Sequence, residues 1–392
     1  MSEQTSADLP SEGAVRARRT PFERVALLLQ GGGALGAYQA GVYQALAEAG
    51  LQPDWVAGIS IGAFNSAIIA GNPPEQRVSR LREFWETVSA PPFRLPYVKS
   101  FQPRGDMSHQ IVNQVQAMNS LLFGANGFFV PRIPPPLLWP PGSPDKASYY
   151  DNSQAKATLA RLVDFERIND GGMRFSVGAV DVSSGNFTYF DSTTHRIRVE
   201  HVIASGSLPP GFAVTEIDGQ HYWDGGLISN TPLQWVLESQ PRLDTLAFQI
   251  DLWNARGELP KDMIEVEVRQ KEIMYSSRNR AATDEYKRAQ KLRIALAHLI
   301  SQLPAELRDG DDVKLLAQVA NDKVCNIVHL IYRARKYEGI AKDFEFSRAT
   351  MDDHWTAGYS NARASLANPE VFQLPDRQEG VRTFDVGDNR SA

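Results

Sequence analysis

The chain has 392 residues, 42% of them hydrophobic, which is enough for one large domain or two ordinary ones with a substantial core. A formal net charge of -5 gives no drive toward nucleic acid or an anionic membrane. The one cysteine, Cys325, excludes an internal disulfide and a cysteine-built zinc site, so nothing requires an oxidising compartment.

Residues 1–22 are polar, lack the apolar core of a secretory signal and read as a disordered tail. No run of 18 apolar residues occurs, so no transmembrane helix is expected. The expected location is cytoplasmic, with peripheral association at a lipid surface left open. Residues 25–29, VALLL, form a short continuous apolar run, the pattern of a buried parallel strand. A glycine cluster follows at once, and then AYQAGVYQALAEAG reads as a helix ending at Gly50. WVAGIS is a second short strand and IGAFNSAIIAG a second apolar helix. Strand–helix–strand–helix order predicts an α/β sheet with right-handed crossovers.

PEQRVSRLREFWETVS is an amphipathic helix with Val78, Leu81, Phe84 and Trp85 on one side. From residue 90 to 150 prolines and aromatic residues interleave, and proline keeps most of that stretch out of regular helix or central strand. It reads as an irregular packed insertion or as a lid over an apolar pocket. RFSVGAVDVSSGNFTYFDS is a hairpin, and a second tight hairpin turns at Asp218-Gly219. A helix (PLQWVLES) and a buried strand (TLAFQIDLW) follow. Residues 256–370 read as a mainly helical C-terminal domain holding one strand, NIVHLIYRA, and residues 371–392 as a polar tail.

Two motifs carry chemistry. Gly31, Gly33 and Gly36 fit G-x-G-x-x-G after the first strand, so their amides could hold a cofactor's phosphates or a reaction's oxyanion. GISIG places Ser60 between Gly58 and Gly62 after a buried strand and before an apolar helix, the context of a nucleophile elbow. The glycines remove Cβ atoms that would clash at so sharp a turn, and the helix start offers free N–H groups beside a new oxyanion. A serine needs a base. None of the seven histidines has an evident catalytic context. Asp224, in YWDGG, is the better candidate: it follows the strand GQHYW, and Gly225 and Gly226 open the backbone for close approach. A semi-buried carboxylate facing the serine would have a raised pKa and could act as base, although most D-G pairs are simple turns.

In this order, GGGALG, GISIG and DGG resemble the patatin-like phospholipase family, and ASGSLPPGFAVTEIDGQHYWDGGLISNTPL extends the likeness. The resemblance covers about residues 25–251 apart from the insertion. It implies a three-layer α/β/α fold with a mostly parallel sheet in a catalytic domain at 23–255, and a Ser60–Asp224 dyad acting without histidine. Backbone N–H groups of Gly31, Gly32, Gly33 and Ile61 would hold the oxyanion, with Gly36, Gly58, Gly62, Gly225 and Gly226 as supporting motif positions. The implied activity is a serine lipid acyl hydrolase of phospholipase A or carboxylesterase type, with no cofactor, no metal and no nucleic-acid partner. Many members carry a basic residue where this chain has Leu35, which leaves turnover and head-group preference open. The region after Pro260 resembles a domain appended to bacterial patatin-like proteins, with self-association as one role for it.

Three rivals remain. A dinucleotide-binding turn wants an acidic residue at the end of the second strand, but Asp54 sits at its start, and there is no G-K-[ST] for a P-loop. A non-catalytic interaction protein could use a hydrolase-like fold. A thioester or storage polyester could replace the lipid ester with no change of mechanism.

Overall fold

The computed structural model describes residues 18–90, 106–335, 338–339 and 341–385. Most of the expected N-terminal tail, the insertion's Phe93, Tyr97 and Phe101, and the end of the C-terminal tail lie outside them. The apolar run becomes β1 (Arg24–Leu29), buried at every position as a central parallel strand must be. It is followed by α1 (Ala37–Glu48), β2 (Trp55–Gly58), α2 (Ile61–Ala70) and α3 (Pro74–Val88).

The insertion is more regular than its prolines suggest. Residues 106–123 form a helix, α4 (Asp106–Phe123), because the prolines stop at Pro103 and resume at Pro131. Beyond it, β3 (Val130–Pro131) pairs antiparallel with β4 (Tyr150–Asp151). Next come α5 (Ser153–Leu162), α6 (Phe165–Asn169), β5 (Arg174–Asp181), β6 (Phe187–Asp191) and α7 (Val199–Ser205). Then follow β7 (Thr215–Ile217), β8 (Gln220–Asp224), α8 (Leu233–Glu238) and β9 (Thr245–Asp251). The C-terminal region supplies α9 (Met263–Gln302), α10 (Ala305–Arg308), α11 (Asp311–Val319), β10 (Cys325–Ile331), α12 (Arg348–Leu366) and β11 (Val381–Asp385).

Nine strands make one sheet, in the order β11-β10-β9-β1-β2-β5-β8-β7, with β6 also on β5. Every pair from β11 through to β5 is parallel. The boundary expected near residue 255 therefore has the same sheet on both sides of it. The stretch expected to be only a polar tail also contributes: β11 pairs in register with β10, and its Val381 and Phe384 are buried. Two apolar residues in a polar context were enough because the ladder to β10 fixes the backbone, whatever the composition around it.

Alternation along β1 splits the core into two layers. Leu27 and Leu29 join the cluster packed under α1, α2, α3 and α12. Ala26 and Leu28 join the opposite cluster, with Leu233 and Val236 of α8 and Tyr286 of α9. The result is a three-layer α/β/α arrangement. Helix α12 lies directly on α1: a Cβ at Gly358 would stand 2.0 Å from the carbonyl oxygen of Tyr38, so the backbones touch.

Register around β5 positions the site. Val177 pairs with Gly58 on one edge and with Phe190 of β6 on the other. Ala179 pairs with Thr188 of β6 and with Asp224 of β8. So β8 occupies the same edge as β2, directly beyond its carboxyl end. Asp224 lies opposite a residue two positions along β5 from the partner of Gly58, about 7 Å further on. Crevices of this kind open at the carboxyl ends of parallel strands, where the order of the sheet changes.

Candidate active site

Ser60 stands between the end of β2 and the start of α2 with φ 55° and ψ −126°. A non-glycine residue rarely holds such a conformation, which costs about 1–3 kcal/mol and persists only where the surroundings enforce it. The flanking glycines are part of that enforcement. A Cβ at Gly58 would meet the carbonyl oxygen of Gly62 at 2.2 Å, and one at Gly62 would meet that of Leu29 at 2.2 Å. The Ser60 N–H donates to the hydroxyl of Ser205 at 3.1 Å, which fixes the elbow against α7.

The Ser60 hydroxyl lies in the same pocket as the Asp224 carboxyl group, close enough to favour its ionised form. Asp224 is 1% exposed, and its carboxyl group accepts from the Gly226 N–H at 2.7 Å. Burial pushes its pKa up to about 7, although the Ser60 hydroxyl and the Gly226 N–H favour the ionised form. Gly225 lies against the carbonyl of Gly178, and Gly226 against the Asp224 and Asn230 side chains.

The glycine loop runs beside this pair. The carbonyl oxygen of Gly31 accepts from the Asn230 side-chain amide at 3.1 Å and from the Trp253 indole N–H at 2.9 Å. In a trans peptide the N–H points opposite to the carbonyl, so these two donors aim the Gly32 N–H away from themselves. The Gly32 carbonyl accepts from the Leu35 N–H at 3.2 Å, which orients the Gly33 N–H in the same manner. No hydrogen-bond acceptor is found among the described residues for the N–H groups of Gly32, Gly33 and Ile61, and all three residues line the pocket at Ser60. Gly31 departs from expectation: its N–H donates to the carbonyl of Asn230 at 3.3 Å, which leaves three of the four expected donors. Gly36 packs behind the loop against Ile61 and Trp85, and Leu35 is fully buried in the core.

A family model described as patatin-like phospholipase matches residues 27–236, more than half of the chain. The chain belongs to the patatin-like phospholipase family. A second model, described as patatin phospholipase, matches residues 273–378. The chain is 49% identical over 67 residues to lysophospholipase nte1 of Aspergillus terreus, covering 17% of this chain and 4% of that protein. It is 40% identical over 79 residues to patatin-like phospholipase domain-containing protein 7 of Rattus norvegicus, covering 20% and 6%. It thus spans only a small fraction of the length of these relatives. The crystal structure of VipD from Legionella pneumophila aligns with 95% of this chain and 73% of its own at 15% identity, with a TM-score of 0.38, and no property is transferred from it.

This patatin-like chain surrounds Ser60 with a pocket of about 670 Å³, its open mouth included. One end is aromatic. Phe64 of α2, Phe128 and Phe129 of the insertion, Phe212 and Phe346 pack edge to face, with Phe128 5.2 Å from Phe64, and Phe129 5.5 Å from Phe212 and 6.0 Å from Phe346. The insertion therefore contributes a wall of the pocket through Phe128 and Phe129. The lining also includes the polar residues Asn230, Tyr275 and Asp343. The Tyr275 phenol is pushed up to about 12 by burial and by the nearby carboxylates of Asp343 and Asp224.

No histidine lines this pocket among the described residues. His201 is buried against Phe190, with its pKa lowered to about 4, and His354 lies within α12. Sequence reasoning missed Asn230, Trp253, Tyr275, Asp343 and Phe346. Asn230 was readable in principle, since it sits in ISNTPL just after the DGG motif. The others come from loops and from α9, where no local pattern marks a pocket residue. Among the described residues no group of three or more His, Cys, Asp or Glu could hold a metal ion, and no helix is long and apolar enough to cross a membrane.

Proposed function

We propose that this chain is a serine lipid acyl hydrolase acting on carboxylic esters through a Ser60–Asp224 dyad. The observation that carries the reading is the contact between the Ser60 hydroxyl, held on a left-handed elbow, and a buried carboxyl group poised near neutrality. Asp224 takes the hydroxyl proton as the Ser60 oxygen attacks the ester carbonyl. The tetrahedral oxyanion is held by the N–H groups of Gly32, Gly33 and Ile61, with the positive end of α2 behind them. Asp224 then passes its proton to the departing alcohol, and the acyl group stays on Ser60. Water repeats the sequence: Asp224 removes its proton, its oxygen attacks the acyl-enzyme, and Ser60 recovers the proton as the fatty acid leaves.

The aromatic end of the pocket suits an acyl chain. A lipid surface is the partner we assign to the insertion. Its helix α4 exposes Val115, Met118 and Leu122 at helical spacing, and Ile133, Leu137 and Leu138 further along are also exposed. Labelling with a fluorophosphonate probe tests the reading. Wild type is expected to carry the label on Ser60, and Ser60→Ala and Asp224→Asn to lose it. Folded wild type that stays unlabelled both with and without lipid vesicles would overturn the hydrolase assignment.

A further inference from the structure

The oxyanion loop is held from outside the segment that carries the three motifs. Ala34 N–H donates to the main-chain carbonyl of Asp343 at 2.9 Å. That carbonyl oxygen also stands 2.2 Å from where a Cβ on Gly33 would be, and Gly33 has φ 55°. On the other side of the same residue, the His354 Nδ1 lies 3.4 Å from the Ala34 carbonyl oxygen. Asp343 is itself tied down. Its carboxylate accepts from the Lys271 ammonium at 3.0 and 3.1 Å, and its neighbour Lys342 donates to Glu272 at 2.8 Å. Lys271 and Glu272 are successive residues on α9, and Tyr275, one turn on from Lys271, faces the pocket. Two ion pairs, each with side chains no more than 28% exposed, thus rivet the 342–343 backbone to α9.

We propose that Asp343 and Lys271 are positioning residues of the site: the Lys271–Asp343 ion pair fixes the carbonyl that sets the conformation of the oxyanion loop at Gly33-Ala34. The role is geometric. Holding Ala34 N–H on Asp343 turns the Gly33 carbonyl away from Asp343, because the two share one peptide plane. The region after residue 260 thereby takes a share in the reaction without touching the reacting atoms. That consequence for turnover rests on the function proposed above, whereas the clamp itself does not.

The test compares wild type with Asp343→Asn, Lys271→Met and Lys271→Arg by two readouts. The first is hydrogen exchange at the loop amides, resolved to Ala34. Asp343→Asn and Lys271→Met are expected to speed exchange at Ala34 at least tenfold, and Lys271→Arg to restore protection. The second is steady-state hydrolysis of a soluble p-nitrophenyl ester. There kcat is expected to fall about 10- to 100-fold with KM within twofold, and Lys271→Arg to recover most of it. Unchanged Ala34 exchange in Asp343→Asn, the near-isosteric variant, overturns the clamp even if Lys271→Met fails to fold. Faster exchange with unchanged kcat overturns the catalytic consequence. If wild type cleaves no ester while Ser60→Ala is equally inert, the proposed function fails, and the exchange readout still decides the clamp.

Discussion

The chemistry assigned to this site turns on one ionisation, so its pH dependence is the sharpest test at the scale of the residue. Asp224 must be ionised to take the Ser60 proton, and burial holds its pKa near 7. kcat/KM is therefore expected to rise about tenfold per pH unit below 7 and to level off above it. A flat profile from pH 5 to 8 would remove Asp224 from the role of base. The same shift has an opposite consequence for folding. A carboxyl whose native pKa lies above its unfolded value of about 4 leaves stability intact below that value. Stability is lost as pH rises through about 7. Asp224→Asn is expected to be inactive yet more stable than wild type at pH 8, by at most about 4 kcal/mol, with little difference at pH 4. Thermal unfolding of both proteins at the two pH values checks this. That Ser60 and Asp224 stand out as a pair was legible because flanking glycines mark both, and the structure brings the two into one pocket. The buried environment that sets the Asp224 pKa was not, since it depends on what closes over the carboxyl group in space.

At the scale of the element, strands and helices were legible wherever the hydrophobic period is clean. β1, α1, β2 and α2 fall where the apolar run and the glycine cluster put them. Two elements were harder to see. Helix α4 hides between clusters of prolines, and β11 is a five-residue strand whose only signal is Val381 and Phe384. The oxyanion loop shows why motif spacing overstates what it specifies. The family resemblance implies four amides at the oxyanion, but the Asn230 carbonyl claims the one on Gly31, a pairing that no local pattern encodes. The Gly31 peptide is set by Asn230 and Trp253 together. Trp253→Phe keeps the ring and removes one donor, so kcat is expected to fall severalfold with KM unchanged. Asn230→Ala removes the other donor and a pocket wall, and a loss of about 10- to 100-fold is expected. Equal activity of both variants to wild type would show that the loop holds its shape unaided.

At the scale of the molecule, the C-terminal region is bound into the patatin-like fold by β10, β11 and α12. Cutting the chain after residue 255 would strip β9 of its neighbour and uncover the face of α1 beneath α12. The truncated protein is expected to be insoluble or unfolded by circular dichroism, and the full chain to unfold in one transition by calorimetry. Two separated transitions would mean that the two halves are stable apart. The sequence reading divided them because charge and helical periodicity change near Pro260, and such a change records surface texture, which is blind to hydrogen bonding between strands.

Strand β5 acts as a ruler for the dyad. Gly58 and Asp224 are each metered off it, two residues apart on a single edge. After Ser60 the chain leaves the sheet and re-enters it as β5 itself at Arg174, so the length of what lies between those two points does not enter the spacing of Ser60 and Asp224. The insertion from residue 90 to 150 sits inside this interval. It can lengthen, shorten or be exchanged to suit a different acyl chain while the distance from hydroxyl to carboxylate stays as it is. Under the function proposed above, a graft at α4 is expected to change substrate range while the spacing of Ser60 and Asp224 stays as it is.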